Sequence, residues 1–374
     1  MQRPFSILAA SALLVLCLAL PAFAAAIKIG LMCPLTGAWA SEGQDMRNVV
    51  SLMVDRLNAA GGVNGNTIEL VLADDGGRPD TAVLAAGKLV ASGVVAVIGT
   101  YSSAVTEVGQ KIYDASGILQ IGTGATNVRL TEKGMERFFR TSPRDDEQGR
   151  VAAQVLLQGR YTRIAILHDQ SSYAKGLADE TRAFLKEGGK DVIFFEALSP
   201  GERDYSAILT ELRSANPDIV FFTGYYREAG LLLRQKRSMK LDAPMMGGDA
   251  TNNQSLIRLA GKTSAVGFTF ISPPVPQDLG SPDAKEFLAA YEAKFGEYPS
   301  SIWAVLAGDA LLVIAEAIKG TGNTDSASIA EYLHNGLKHF NGLSGPIMFN
   351  SKGDRIGDIY RVYEVDPSGN FILK

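Results

Sequence analysis

Apolar and polar positions along the chain alternate between two periods. "IKIGLM" (27–32) is a short apolar run. From Gly43 to Asn58 the apolar residues Met46, Val49, Val50, Met53 and Leu57 recur at helical spacing, and "GG" at 61–62 ends that helix. "TIELVLAD" (67–74) alternates as a strand. A helix from Asp80 to about Ala91 follows, with Asp80 as the expected N-cap, then a strand over 94–98, a helix over 104–115 and a strand over 118–121. This βαβαβαβ order predicts a parallel sheet with helices on both faces.

The pattern restarts after "RTSPRDDEQG". "RIAILHD" (163–169) reads as a strand, followed by a helix over about 174–187, strand "DVIFFEA", a helix over 205–213, strand "DIVFFTG", a helix across 227–238 and the short strand "APMMGG". "ISPPVPQDLGSP" (271–282) reads as a proline-rich linker. Two helices over about 282–295 and 301–318 come next, and "IYRVYEV" closes the chain as an alternating strand. The expected fold is therefore α/β: two Rossmann-like units, one after the other, with strand C-termini facing a shared cleft. In open α/β sheets ligands bind just outside those ends.

The turns at those ends carry the candidate chemistry. In "GTYSSAVTE" (99–107) a buried strand runs into a helix starting near Ser102, whose free N–H groups and dipole suit a carboxylate or phosphate. Plain N-capping by Ser102 or Ser103 is the competing reading. "GGDATNN" puts Asp249 at the same cleft edge, as an ammonium partner or as the cap of a helix near Asn252, and "TGYY" adds Tyr225 and Tyr226. An acid facing a carboxylate-binding helix end across a cleft is what a zwitterion requires.

Enzyme motifs are scarce. The three histidines, His168, His334 and His339, have no metal-binding spacing, and GxSxG, Walker A and GxGxxG patterns are missing. No catalytic residue, metal or cofactor is expected. A Ser–His pair through His168 and a nucleotide-dependent enzyme are the weaker alternatives.

The N-terminus changes the picture of where the chain works. Arg3, the apolar run "ILAASALLVLCLAL", Pro21 and "AFA" form a secretory signal peptide, with cleavage expected after Ala24. The run is short for a membrane anchor. Leu16 is bulky for a lipidation site at Cys17, so the periplasm is the expected location. Removing the leader takes Lys plus Arg from 36 to 35 against 40 Asp plus Glu, and no basic stripe suggests nucleic acid. Cys33 then stands alone, so no internal disulfide is expected.

Read in order, "IKIGLMCPLTGAWASEG", "LNAAGGVNGNTIELVLADD", "VIGTYSSAVT", "GILQIGTGATNVRLTEKG", "FFRTSPRDDEQG", "IAILHDQSSYAKGLA", "FFEALSPGERDYSAIL" and "IVFFTGYYREAG" resemble the leucine/isoleucine/valine-binding protein family. These are type I periplasmic substrate-binding proteins of ABC importers. The resemblance implies two lobes, 25–142 with 273–346 and 143–272 with 347–374, joined by three hinge segments near Arg140–Pro143, Ser272–Pro274 and residue 347. It implies a receptor that closes on a branched-chain or related amino acid and docks, as a monomer, on a membrane permease. The family's carboxylate-binding positions fall on Ser103, Gly124 and Thr126. Its ammonium-binding positions fall on Thr126, Tyr225 and Asp249, and Tyr173 matches a tyrosine at the cleft edge.

This sequence also departs from the family. Glu42, in the loop after the first strand, stands where an aromatic is frequent; it faces either the ligand or solvent. Trp39 is placed to replace the lost apolar wall. Tyr101 replaces a smaller residue and Ser301 an apolar one. The amino-acid frame is kept, while a polar or larger side chain becomes an option. A non-amino-acid solute, such as an aromatic acid, short amide or urea-like molecule, is the other binding class considered; it would use the Ser103/Thr126 end without Asp249.

Overall fold

The computed structural model describes residues 26–159 and 161–374; the leader and its cleavage point near Ala24 lie outside the described residues. The first lobe is built from β1 (Ile27–Cys33), α1 (Ala40–Ala59), β2 (Ile68–Asp74), α2 (Pro79–Ala91), β3 (Ala96–Ile98), α3 (Ser103–Ala115), β4 (Leu119–Gly122) and β5 (Phe138–Arg140). Its five strands lie in the order β2-β1-β3-β4-β5, all parallel. β1, β3 and β4 are almost wholly buried, as unbroken apolar runs covered by helices on both faces must be.

The second lobe runs through α4 (Asp145–Gln158), β6 (Ile164–His168), α5 (Ser172–Glu187), β7 (Phe194–Ala197), α6 (Ser206–Ala215), β8 (Ile219–Thr223), α7 (Tyr226–Ser238), β9 (Met245–Gly247), α8 (Ser255–Ala260), α9 (Lys262–Ala265) and β10 (Thr269–Ser272). The chain then returns to the first lobe. α10 (Pro282–Phe295) and α11 (Ile302–Thr321) pack on α1, and α12 (Ser326–Glu331) lies by β4. α11 is apolar nearly all round and nearly all buried, the signature of a core helix. A hairpin, β11 (Phe340–Gly342) and β12 (Gly345–Ile347), follows. The last strands, β13 (Arg361–Val365) and β14 (Phe371–Leu373), join the second sheet antiparallel, giving the order β14-β13-β10-β9-β8-β6-β7.

Several boundaries differ from the sequence reading. α2 starts at Pro79, with Arg78 as N-cap and Asp80 inside the first turn, where an acid suits the helix dipole. α1 begins at Ala40, so Glu42 is helical rather than in a loop. β5 ends at Arg140 and α4 begins at Asp145, both inside "RTSPRDDEQG", the stretch after which the sequence pattern restarts. Gly149 fits inside α4 because a Cβ there would lie 2.8 Å from Glu180 Cβ on α5.

Residues 271 and 272, read as linker, end β10. The third crossing also comes later than residue 347. Residues 348–355 still lie along β5, where Arg140 pairs with Asp354 at 2.6 Å and Arg355 donates to the carbonyl oxygens of Thr141 and Pro346.

Candidate functional site

The cleft lies between the strand ends of the two sheets. On the first lobe, Ser102 is the N-cap of α3 and Ser103 its first residue, and neither uses its side chain to cap the helix. Ser103 Oγ instead accepts from Asn127 N–H at 3.3 Å, tying the turn after β3 to the turn after β4. The first N–H groups of α3 are thus unclaimed by a cap. Gly124 is required in the second turn: a Cβ there would lie 2.8 Å from Tyr101 O and 2.9 Å from Tyr101 Cδ2. Thr126 Oγ1 is buried without a partner among the described residues, while its carbonyl accepts from Asp145 N–H at 2.9 Å.

The second lobe supplies acid. Asp249, fully buried, begins a 3-10 turn (Asp249–Thr251) whose N-cap is Gly248, so it is not a helix cap. Its two oxygens accept from Tyr173 Oη at 2.9 Å and Tyr360 Oη at 3.0 Å. Gln148 completes the cradle, accepting from Asp249 N–H at 3.0 Å and donating to Tyr360 Oη at 3.0 Å. Burial raises Asp249 to about 7 despite these donors.

Asp145, at the start of α4, is also fully buried. Neither of its oxygens has a hydrogen-bond partner among the described residues. Burial, then the charge of Asp249, pushes it well above the usual carboxylate range. Burial thus disfavours the charged form of both carboxyls unless an opposite charge is brought to them.

Aromatic rings line the rest. Trp39, half-buried, meets Tyr225 at 4.2 Å between ring centroids and Tyr101 at 5.7 Å. Tyr173 meets Tyr225 at 5.4 Å and lies inside the cleft rather than at its edge. Glu42 is fully buried and faces inward. It accepts from Asn253 Nδ2 across the cleft at 2.5 Å and from Ser301 Oγ at 2.6 Å. The lobes also touch through Ser41 Oγ and Tyr226 Oη, 2.9 Å apart, and through Asn127 Nδ2 donating to Ser172 O at 2.7 Å.

Tyr101, Ser102, Ser103, Gly124 and Thr126 thus lie on the turns after β3 and β4 and at the start of α3, Trp39 and Glu42 at the start of α1, and Tyr173, Tyr225 and Asp249 on the second lobe. Sequence reasoning missed Asp145, Gln148 and Tyr360. His168 accepts from Gln170 N–H at 3.2 Å and packs on Phe195, with no hydrogen bond to Ser102 or Ser103 among the described residues. Cys33, a free thiol, is buried at the end of β1. Among the described residues no group of three or more His, Cys, Asp or Glu could hold a metal ion, and no helix is long and apolar enough to cross a membrane.

Two sheets facing each other across a cleft lined by Ser103, Thr126 and Glu42 on one side and by Asp145 and Asp249 on the other define a two-lobed ligand-binding protein. Residues 26–370 match the periplasmic binding protein family. The chain is 36% identical over 340 residues to the leucine-, isoleucine-, valine-, threonine-, and alanine-binding protein of Pseudomonas aeruginosa, covering 90% of this chain and 89% of that protein. It is 33% identical over 342 residues to Leu/Ile/Val-binding protein homolog 3 of Brucella melitensis, covering 91% of each. The structure of the branched-chain amino acid transporter substrate binding protein LivJ from Streptococcus pneumoniae, in complex with isoleucine, superposes with a TM-score of 0.85 at 30% identity, over 93% of this chain and 100% of that one. The chain belongs to the periplasmic binding protein family and has its type I fold.

Proposed function

We propose that this protein is the extracytoplasmic solute receptor of an ABC importer, capturing a branched-chain or related amino acid by closure of its two lobes. The observation that carries the reading is the division of the cleft. Ser103, Gly124 and Thr126 surround the open N-terminus of α3 on one lobe, and Asp145 and Asp249 converge from the other. A carboxylate suits the first surface and an ammonium the second, so an α-amino acid bridges both. The relatives' names support the same ligand class.

The ligand holds the lobes shut only by its differential affinity for the closed state. Bending falls on the three crossings, 141–144, 273–281 and 356–360. No bond is made or broken, and neither cofactor nor metal takes part. The mature chain begins after a leader cleaved near Ala24, works as a monomer in the periplasm and delivers its ligand to a membrane permease.

Thermal melting of ligand-stripped protein against amino acids, aromatic acids, amides and nucleotides tests this. A ligand at a thousandfold excess over Kd adds about 4 kcal/mol, which raises the melting temperature by several degrees. Stabilisation by at least one α-amino acid is expected. Stabilisation by non-amino acids alone would overturn the assignment.

A further inference from the structure

An amino-acid frame accounts for the two charged ends of the cleft but not for Glu42. Its hydrogen bonds to Asn253 and Ser301 join α1 to the loop before α8 and to the start of α11. Burial raises its carboxyl to about 8, and Asp45 adds to the push. A purely structural role would explain those two bonds. It would not explain two neighbouring donors that have no partner.

Tyr101 Oη and Trp303 Nε1 are both buried and unpaired among the described residues, on rings 6.5 Å apart. The Glu42 charge acts directly on the Tyr101 phenol, reinforcing the rise caused by burial. Buried O–H and N–H groups are costly to leave unmade. A saturated hydrocarbon side chain placed here would leave both donors as they are.

We propose that the side-chain end of this cleft is built for an amino acid carrying an uncharged carboxamide or ureido group, whose carbonyl oxygen accepts from Tyr101 Oη and Trp303 Nε1 while its N–H group donates to Glu42. The inference rests on the amino-acid reading above. The competing side chains each fail on one partner. A carboxylate has no N–H to donate to Glu42. An ammonium or guanidinium pairs with Glu42 but offers the two donors no acceptor. An aliphatic chain serves none of the three. Sites built around buried polar groups discriminate strongly against ligands that leave them unpaired.

Isothermal titration of the ligand-stripped protein with L-glutamine, L-asparagine and L-citrulline, against L-leucine, L-isoleucine, L-valine, L-lysine and L-glutamate, tests the proposal. The best amide or ureido ligand is expected to bind at least about tenfold more tightly than the best of the others. Glu42→Leu is expected to reverse the preference towards leucine. Tyr101→Phe, which keeps the ring and its packing, is expected to cost the amide ligand about fivefold or more while leaving leucine within about twofold. Tightest binding by leucine, isoleucine, valine, lysine or glutamate overturns the proposal and leaves the receptor assignment standing. An equal loss for amide and leucine in Tyr101→Phe also overturns it. Failure of every amino acid to bind overturns both readings.

Discussion

Replacing Asp249 by Asn separates charge from shape at the ammonium end. The side chain keeps its size, and Tyr173 can still donate to an amide oxygen in place of the carboxylate that it reaches at 2.9 Å. What disappears is the negative charge. A charge-assisted hydrogen bond contributes about 1.5–3 kcal/mol, and breaking a buried pair costs about 3–5 kcal/mol. A working value of about 3 kcal/mol corresponds to roughly 150-fold in Kd.

The ligand-free protein is expected to respond in the opposite direction. Burial between the lobes raises Asp249 to about 7. Its ordinary value is about 3.9, so the difference is about three pH units, or about 4 kcal/mol. A raised carboxyl favours the closed form while protonated, and that advantage is lost as pH rises through its raised value. Asn carries no such dependence. Titration calorimetry at pH 7.5 should therefore show much weaker amino-acid binding, while ligand-free D249N melts no lower than wild type. A change in Kd below threefold would refute Asp249 as the ammonium partner. A fall in ligand-free melting temperature would refute the electrostatic account, because packing of the cradle would then explain the loss.

Asp145, Asp249 and Glu42 all have raised values in the closed form, so empty closure should be favoured at pH 5 and lost towards pH 8. A fluorescence-transfer pair across the lobes should report compaction at the lower pH, and an unchanged signal would contradict the linkage. Arg140→Met removes the buried partner of Asp354 and should destabilise the fold by about 3 kcal/mol; a urea midpoint within error of wild type would contradict this. Gly124→Ala places a methyl 2.8 Å from Tyr101 O, an overpacking cost of about 1–3 kcal/mol. It should weaken amino-acid binding about tenfold by calorimetry, with the fold retained by circular dichroism.

The alternating periods made most strands and helices legible, because parallel strands buried on both faces must be continuously apolar. α4 was hidden because its buried stripe, Asp145, Gln148, Gly149 and Ala152, opens with polar residues and glycine. Asp145, Gln148 and Gly149 face the cleft and α5, and only from Ala152 onward does the stripe join the apolar core. Tyr360 was invisible for a different reason: it meets Asp249 from 111 residues away, and no local pattern encodes that encounter. Glu42 was decidable in principle. It precedes Met46, Val49 and Met53 at spacings of four, seven and eleven, which places it on the buried stripe of α1. Starting the helix at Gly43 concealed that one turn.

The carboxylate-facing and ammonium-facing groups of the proposed site sit on different lobes. Asp145 and Asp249 travel with the second sheet, Ser103 and Thr126 with the first. A molecule bearing only one of the two charges can rest on one surface yet has nothing with which to hold the other. Simple amines or simple carboxylates would thus occupy half the receptor and leave it ajar. They would act as silent competitors, blocking capture without producing the shape that a transporter reads.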